Sequence, residues 1–183
     1  MRFALLSLAL VLSLALPALA ARNGARRKPP SAKPQAPASG VVDGTVPSYA
    51  DRVAIHYHAE GHGTPAVVLI HCWACDTSDW DNQVPVLAKT HRVVTLDLAG
   101  HGRSGTERKA WTMPAFGADV KTVVEQLRLD KVVLVGHSMG GYVMLEAARI
   151  MPERVLGLVA VDTLHDADRG ADAKEREAFM AAM

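Results

Sequence analysis

A serine flanked by glycines at the end of an apolar run is the feature that most constrains how this chain can fold. Residues 131–141 read Lys-Val-Val-Leu-Val-Gly-His-Ser-Met-Gly-Gly, and helical spacing begins after the serine. The pattern predicts a buried strand, a sharp turn with Ser138 at its apex, and a helix from about Met139. Gly136 and Gly140 remove the Cβ atoms that would collide where the strand and the helix approach each other.

Such a turn has a chemical use, because a strained backbone lifts the serine hydroxyl away from the sheet. Ser138 is therefore the predicted catalytic nucleophile. The backbone N–H of Met139 lies at the positive end of a helix, where a developing oxyanion is stabilised. The alternative is a glycine-rich turn that carries Ser138 incidentally.

Apolar runs alternate with helical patterns along the rest of the folded part. Residues 66–70, 92–97 and 155–161 are predicted as further buried strands, and residues 49–57 as an edge strand or hairpin. Thr112 is the predicted cap of a helix that precedes the serine-bearing strand. This alternation predicts an α/β fold in which helices flank a mostly parallel sheet.

The first 48 residues have a different composition. Residues 1–20 combine a basic start, an apolar run and the small-residue pattern Ala18-Leu19-Ala20, which predicts a cleaved signal peptide and export to the periplasm or the medium. The apolar run is short for a membrane span, so none is expected after cleavage. Residues 21–48 are predicted to be a flexible basic linker rich in proline and alanine, solvated or in contact with an anionic surface.

Charge and motif content narrow the function classes. From Val41 onward 14 Lys and Arg face 19 Asp and Glu, and this mildly acidic balance argues against nucleic acid as a partner. The sequence shows no phosphate loop and no cluster with metal-ligand spacing, so no cofactor and no metal are expected. Cys72 and Cys75 form a C-x-x-C pair, for which free or structural cysteines, a local disulfide, and a metal or redox role remain open.

Three motifs in register resemble the serine-nucleophile branch of the α/β-hydrolase superfamily. A strand is followed by His71-Cys72-Trp73, a second strand ends at Asp97 before Ala99-Gly-His-Gly-Arg-Ser104, and the third motif is the Gly136–Gly141 turn. The resemblance covers about residues 51–162. It implies an esterase-like hydrolase that acts on a small-molecule, ester-like substrate.

The resemblance also implies roles for single residues. The backbone N–H of Trp73 is expected to complete an oxyanion hole with that of Met139. Cys72 stands where the family usually has glycine, and a side chain there is expected to narrow the pocket or shift the loop. The positions of His71, His101 and His137 are mainly architectural in the family.

Family members supply an Asp or Glu and then a His after the nucleophile, on later strands. Here the chain is expected to be a fragment that stops after the sixth strand and lacks this acid and base, so that residues 49–183 form the N-terminal portion of the domain and residues 163–183 begin a lid. Asp162 and His165 are kept as an alternative acid and base, beside a plain loop. A non-catalytic binding protein or degenerate enzyme is the competing function. The sequence sets neither the substrate nor the oligomeric state.

Overall fold

Six strands form a single sheet in the computed structural model, which describes residues 40–163. The strands are β1 (Val42–Pro47), β2 (Ala54–Glu60), β3 (Ala66–Ile70), β4 (Val93–Leu96), β5 (Val132–His137) and β6 (Val155–Val161). Their spatial order is β1-β2-β4-β3-β5-β6. The first two run antiparallel to their neighbours and the last four are mutually parallel. The predicted α/β fold with a mostly parallel sheet is confirmed.

Helices cover the sheet on both faces. They are a 3-10 helix (Thr77–Trp80), α1 (Val84–Leu87), α2 (Met113–Gln126) and α3 (Met139–Ile150). The helices α2 and α3 pack with alternate residues of the central strands, such as Val68 and Ile70, in the larger core. Val67 and Leu69 point to the other face, where they contact Trp80. This alternation explains why β3 is apolar throughout, since both of its faces are buried.

The start of α2 agrees with the sequence prediction. Thr112 adopts an extended backbone conformation, and its hydroxyl oxygen accepts a hydrogen bond from the Ala115 N–H at 3.3 Å. Pro114 lies in the first turn, where its missing N–H costs no helical hydrogen bond. The helix is therefore capped by the residue that the sequence indicates.

The predicted linker ends too late. Residues 42–47, placed in the 21–48 linker, form β1 and pair in register with β2 from Val42↔Ala59 to Pro47↔Ala54. Val46 is buried, and Gly44 leaves room for the ring of Tyr57, whose hydroxyl would lie 3.1 Å from a Cβ there. Alternate apolar residues drive this strand onto the sheet, and the proline- and alanine-rich composition before it concealed the alternation.

Residues 155–161 form the predicted strand, but the prediction that this strand is buried is wrong. The strand forms, but it lies at the sheet edge and pairs with β5 alone among the described residues. Leu156 is 59% exposed and Val159 45% exposed. An apolar run shows that a segment favours a strand, whereas its burial depends on what packs against it.

Several predictions fall on residues that lie outside 40–163. These are the signal peptide, most of the linker, and nearly all of the predicted start of a lid. Within the described residues, no helix has the length and apolar character needed to cross a membrane.

Candidate active site

The turn between β5 and α3 has the sharp geometry expected from the sequence. Ser138 adopts φ 50° and ψ −117°, a positive φ that costs energy for a residue with a Cβ. A Cβ on Gly136 would lie 2.5 Å from the carbonyl carbon of Gly140, and a Cβ on Gly140 would lie 2.7 Å from the carbonyl oxygen of His71. The two glycines therefore permit the close approach that holds the strained turn.

The neighbouring strand supports the turn from one side. The Ser138 N–H donates to the carbonyl oxygen of Val161 at 3.1 Å, and His137 is the register partner of Val161. Asp162 follows directly, exposed and with φ 45°. This alternative acid therefore lies at a strand end beside Ser138, as the sequence predicted, whereas His165 lies outside the described residues.

His71 begins the loop after β3 and ties it to the end of β4. Its Nδ1 lies 2.7 Å from the Cys72 carbonyl oxygen, and its Nε2 accepts the Leu98 N–H at 3.0 Å. These two bonds place the ring proton on Nδ1. Burial lowers the pKa of His71 below its usual range, so the ring is neutral at pH 7. This geometry gives His71 an architectural role.

Two backbone N–H groups next to the turn have no hydrogen-bond acceptor among residues 40–163. The N–H groups of Trp73 and Met139 form no hydrogen bond among residues 40–163. The first turn of α3 and the loop after β3 lie in contact, because Gly140 packs against the carbonyl groups of Ile70 and His71. Unpartnered N–H groups at a helix N-terminus and an adjacent loop are the donors that an oxyanion requires.

No base is joined to the serine in the described part of the chain. Between residues 40 and 163, none of the hydrogen bonds made by histidine rings reaches the Ser138 hydroxyl. Nδ1 of His101 lies instead 2.9 Å from the Ala99 carbonyl oxygen. A serine hydroxyl needs a neighbouring base to lose its proton at neutral pH. Residues 40–163 thus place a serine on a strained turn beside two unpartnered N–H groups, with no imidazole bonded to its hydroxyl.

An aromatic surface lies beside the loop after β3. His101 stacks edge-on with Trp73 at 5.4 Å between ring centroids and with Phe116 at 6.3 Å, and Trp111 lies 6.2 Å from Phe116. Trp73 and Trp111 are each about half exposed. These rings are suited to contact the apolar part of a small molecule.

The carboxylate of Asp97 fixes the loops that follow β3 and β4. It accepts the backbone N–H groups of Thr77 and Arg103 at 2.8 and 2.9 Å and lies 3.0 Å from Nδ1 of His56. A Cβ on Gly102 would lie 2.6 Å from this carboxylate. Asp97 thus anchors both loops, and Gly102 leaves room for its carboxylate.

Sequence reasoning missed a buried ionic network. Arg108 forms a bidentate pair with Asp119 at 2.7 and 2.9 Å and contacts Asp51 at 2.8 Å. The side chains of Arg108 and Asp119 are fully buried. Burial raises the pKa of Asp119 and the bonds from Arg108 oppose that shift. The sequence did carry a sign of this network. Asp119 follows Phe116 by three residues, which places its carboxylate on the apolar face of α2, where an acidic residue needs a buried partner.

The structure favours one of the three roles left open for the cysteine pair. Cys72 and Cys75 form a disulfide, with Cα atoms 5.3 Å apart. The expected influence of Cys72 on the loop thus takes the form of a covalent link across Trp73.

Comparison with known proteins agrees with this fold. The family model described as the alpha/beta hydrolase fold matches residues 65–179. The chain belongs to the α/β-hydrolase fold family. In this family member the described residues supply the turn around Ser138, the loop after β3 and a six-stranded sheet.

Individual relatives differ in chemistry. The chain is 37% identical over 112 residues to the dihydrolipoyllysine-residue acetyltransferase component of an acetoin cleaving system from Pseudomonas putida, which covers 60% of this chain and 30% of that protein. It is 38% identical over 111 residues to a non-heme haloperoxidase from Rhodococcus erythropolis, covering 60% of this chain and 39% of that protein. A thermophilic esterase from Thermogutta terrifontis superposes with a TM-score of 0.59 at 32% identity, over 67% of this chain and 45% of the esterase. The chain thus spans less than half the length of each.

Proposed function

We propose that this α/β-hydrolase acts as an exported serine hydrolase on a small-molecule, ester-like substrate. The observation that carries the proposal is the strained backbone of Ser138 between β5 and α3, held by close glycine contacts. Strain of this kind persists where the surrounding structure over-determines it, commonly at catalytic sites. The similarity to an esterase supports the ester-like substrate.

In the proposed mechanism the Ser138 oxygen attacks the substrate carbonyl carbon. Negative charge then develops on the carbonyl oxygen, and the unpartnered N–H groups of Met139 and Trp73 stabilise it. Losing one such donor costs roughly a hundredfold to a thousandfold in kcat in serine proteases. The general base and its acid partner come from outside residues 40–163. The positions of His71 and His101 support this assignment, because each ring is engaged with the backbone.

Export is the second part of the proposal. It rests on the apolar run and the Ala18-Leu19-Ala20 pattern near the N-terminus. The protein recovered from the periplasm or medium should begin at Ala21, as read by intact-mass spectrometry. Recovery of an exported protein that still begins at Met1 would contradict signal cleavage.

A non-catalytic binding role is the competing function. It is favoured by the lack of any imidazole bonded to the Ser138 hydroxyl among residues 40–163. A binding protein could use the aromatic surface around Trp73 and Trp111 without any reaction at the serine.

Chemical rescue separates the two functions. Because no base serves Ser138 among residues 40–163, the full chain should hydrolyse p-nitrophenyl acetate no faster than its Ser138→Ala variant when no base is added, and faster hydrolysis would assign the base to another part of this chain. Added imidazole supplies a base, so the rate of the wild-type chain should rise above the Ser138→Ala rate by at least about tenfold. Equal rates in imidazole, from chains with the same circular dichroism spectrum, would refute the hydrolase and favour the binding role.

A further inference from the structure

We propose that the Cys72–Cys75 disulfide holds the Trp73 N–H in place as an oxyanion donor, so that reduction of this bond lowers the reactivity of the site. The inference rests on the proposed function, because it assigns Trp73 to the oxyanion hole. It adds a covalent positioning element and a means of control to that site.

The argument begins with what else restrains the loop. Its start is held by His71, which accepts the Leu98 N–H, and its end by Thr77, whose N–H donates to Asp97 at 2.8 Å. Between them, residues 72–75 make no backbone–backbone hydrogen bond within the described range 40–163. The Cys72 carbonyl oxygen accepts a hydrogen bond from His71 and the Trp73 ring contacts His101, and the disulfide adds a covalent restraint on the segment that carries the proposed donor.

The backbone of the same segment adopts an unfavourable conformation at Ala74. Ala74 adopts φ 56°, a left-handed conformation that is unfavourable for a residue with a Cβ. Ala74 lies inside the ring closed by Cys72 and Cys75, directly after Trp73. Opening the ring lets Ala74 relax to negative φ, and that rotation would move the peptide that links it to Trp73.

The bond is also accessible to a reductant. Cys72 and Cys75 are half-buried, and the two residues between them are exposed. A dithiol attacks one protein sulfur through its thiolate and forms a mixed disulfide, and its second thiol then releases both protein thiols. Two electrons and two protons pass to the Cys72–Cys75 pair, and the reductant leaves as its own disulfide. In an oxidising compartment outside the cytoplasm the bond remains closed.

Labelling of the full chain by a fluorophosphonate, in imidazole, tests the proposal. Dithiothreitol should slow labelling at Ser138 by about tenfold to a hundredfold, the scale of a misplaced catalytic group. Hydrogen exchange at residues 72–76 should rise in the same samples, and exchange in α3 should stay unchanged. The ester assay should show a lower kcat with KM little changed, because an oxyanion donor acts in the transition state. A purely structural cross-link would alter hydrogen exchange without lowering kcat at nearly constant KM.

A double variant, Cys72→Ser with Cys75→Ser, is the matched control. It should label at the slow rate of the reduced wild type and should not respond to dithiothreitol. The ligand atoms of Cys72, Cys75 and Asp79 lie within 4.8 Å of one another, so a chelator is included to exclude metal capture by the reduced thiols.

The outcomes separate the two claims. Ser138-specific labelling that is equally fast with and without dithiothreitol, with reduction verified by thiol alkylation, overturns the inference and leaves the proposed hydrolase intact. If Ser138 does not label in either redox state while the chain remains folded, the proposed function fails and the inference falls with it. Slowing by dithiothreitol to the same extent in the double variant would also overturn the inference.

Discussion

Substituting Gly140 by alanine tests whether close packing of α3 on β3 creates the serine turn. A Cβ at this position would lie 2.7 Å from the carbonyl oxygen of His71 and 3.0 Å from the carbonyl carbon of Ile70. Both obstructing groups belong to backbone that continues from a central strand, so neither can rotate away as a side chain would. Helix or strand must shift by a few tenths of an ångström or more.

The magnitude follows from two opposed effects. Overpacking a rigid site costs typically about 1–3 kcal/mol, and the backbone contacts place Gly140→Ala near the upper end. The higher helix propensity of alanine stabilises the folded state by about 1 kcal/mol relative to glycine. The free energy of unfolding should therefore fall by about 2 kcal/mol, which lowers the Tm of a chain this size by about 4–8 °C.

Gly157→Ala is the matched control, because a Cβ there meets nothing within 4 Å. This variant should change the free energy of unfolding by no more than about 0.5 kcal/mol. Urea unfolding followed by circular dichroism measures both variants. If Gly140→Ala is as stable as Gly157→Ala, the close approach is not what holds the turn, and the packing argument is wrong.

Three further predictions follow from buried charge and the neutral histidine. Arg108→Met should cost about 3–5 kcal/mol in urea unfolding because it leaves Asp119 buried and unpaired. Arg103→Met should cost less than about 1 kcal/mol, since Arg103 is 62% exposed where it pairs with Asp43, and equal losses would refute the burial argument. His71 has a lowered pKa in the folded chain, so its contribution is complete above the unfolded value of about 6.5 and is lost as pH falls toward the folded pKa. His71→Gln should therefore flatten the pH dependence of unfolding just below that value, and an unchanged slope would contradict the assignment.

Much of the sheet and the serine turn could be predicted because their signals are local. The run 66–70 is β3 with the same bounds, and Gly136 and Gly140 lie where the strand and helix meet. Steric requirements of this kind depend on residues that lie close together in the sequence. The strand–turn–helix around Ser138 was accordingly predicted without any knowledge of the tertiary fold.

The remainder depended on contacts between distant residues. Pairing of Arg108 with Asp51 spans 57 positions, and an arginine does not suggest burial when seen alone. The edge position of β6 depends on which strands pair with it, and an apolar run does not reveal this. The disulfide between Cys72 and Cys75 was left open because a short spacing permits a bond without requiring one.

Mass-spectrometric mapping of fluorophosphonate adducts on the full chain tests the central claim, that Ser138 is a nucleophile presented to an oxyanion hole. Without added base the chain should label barely above background. In imidazole the account predicts an adduct on the peptide that contains Ser138, formed at least about tenfold faster and absent from Ser138→Ala. A folded chain that stays unlabelled in imidazole, or that labels at another residue, would contradict it.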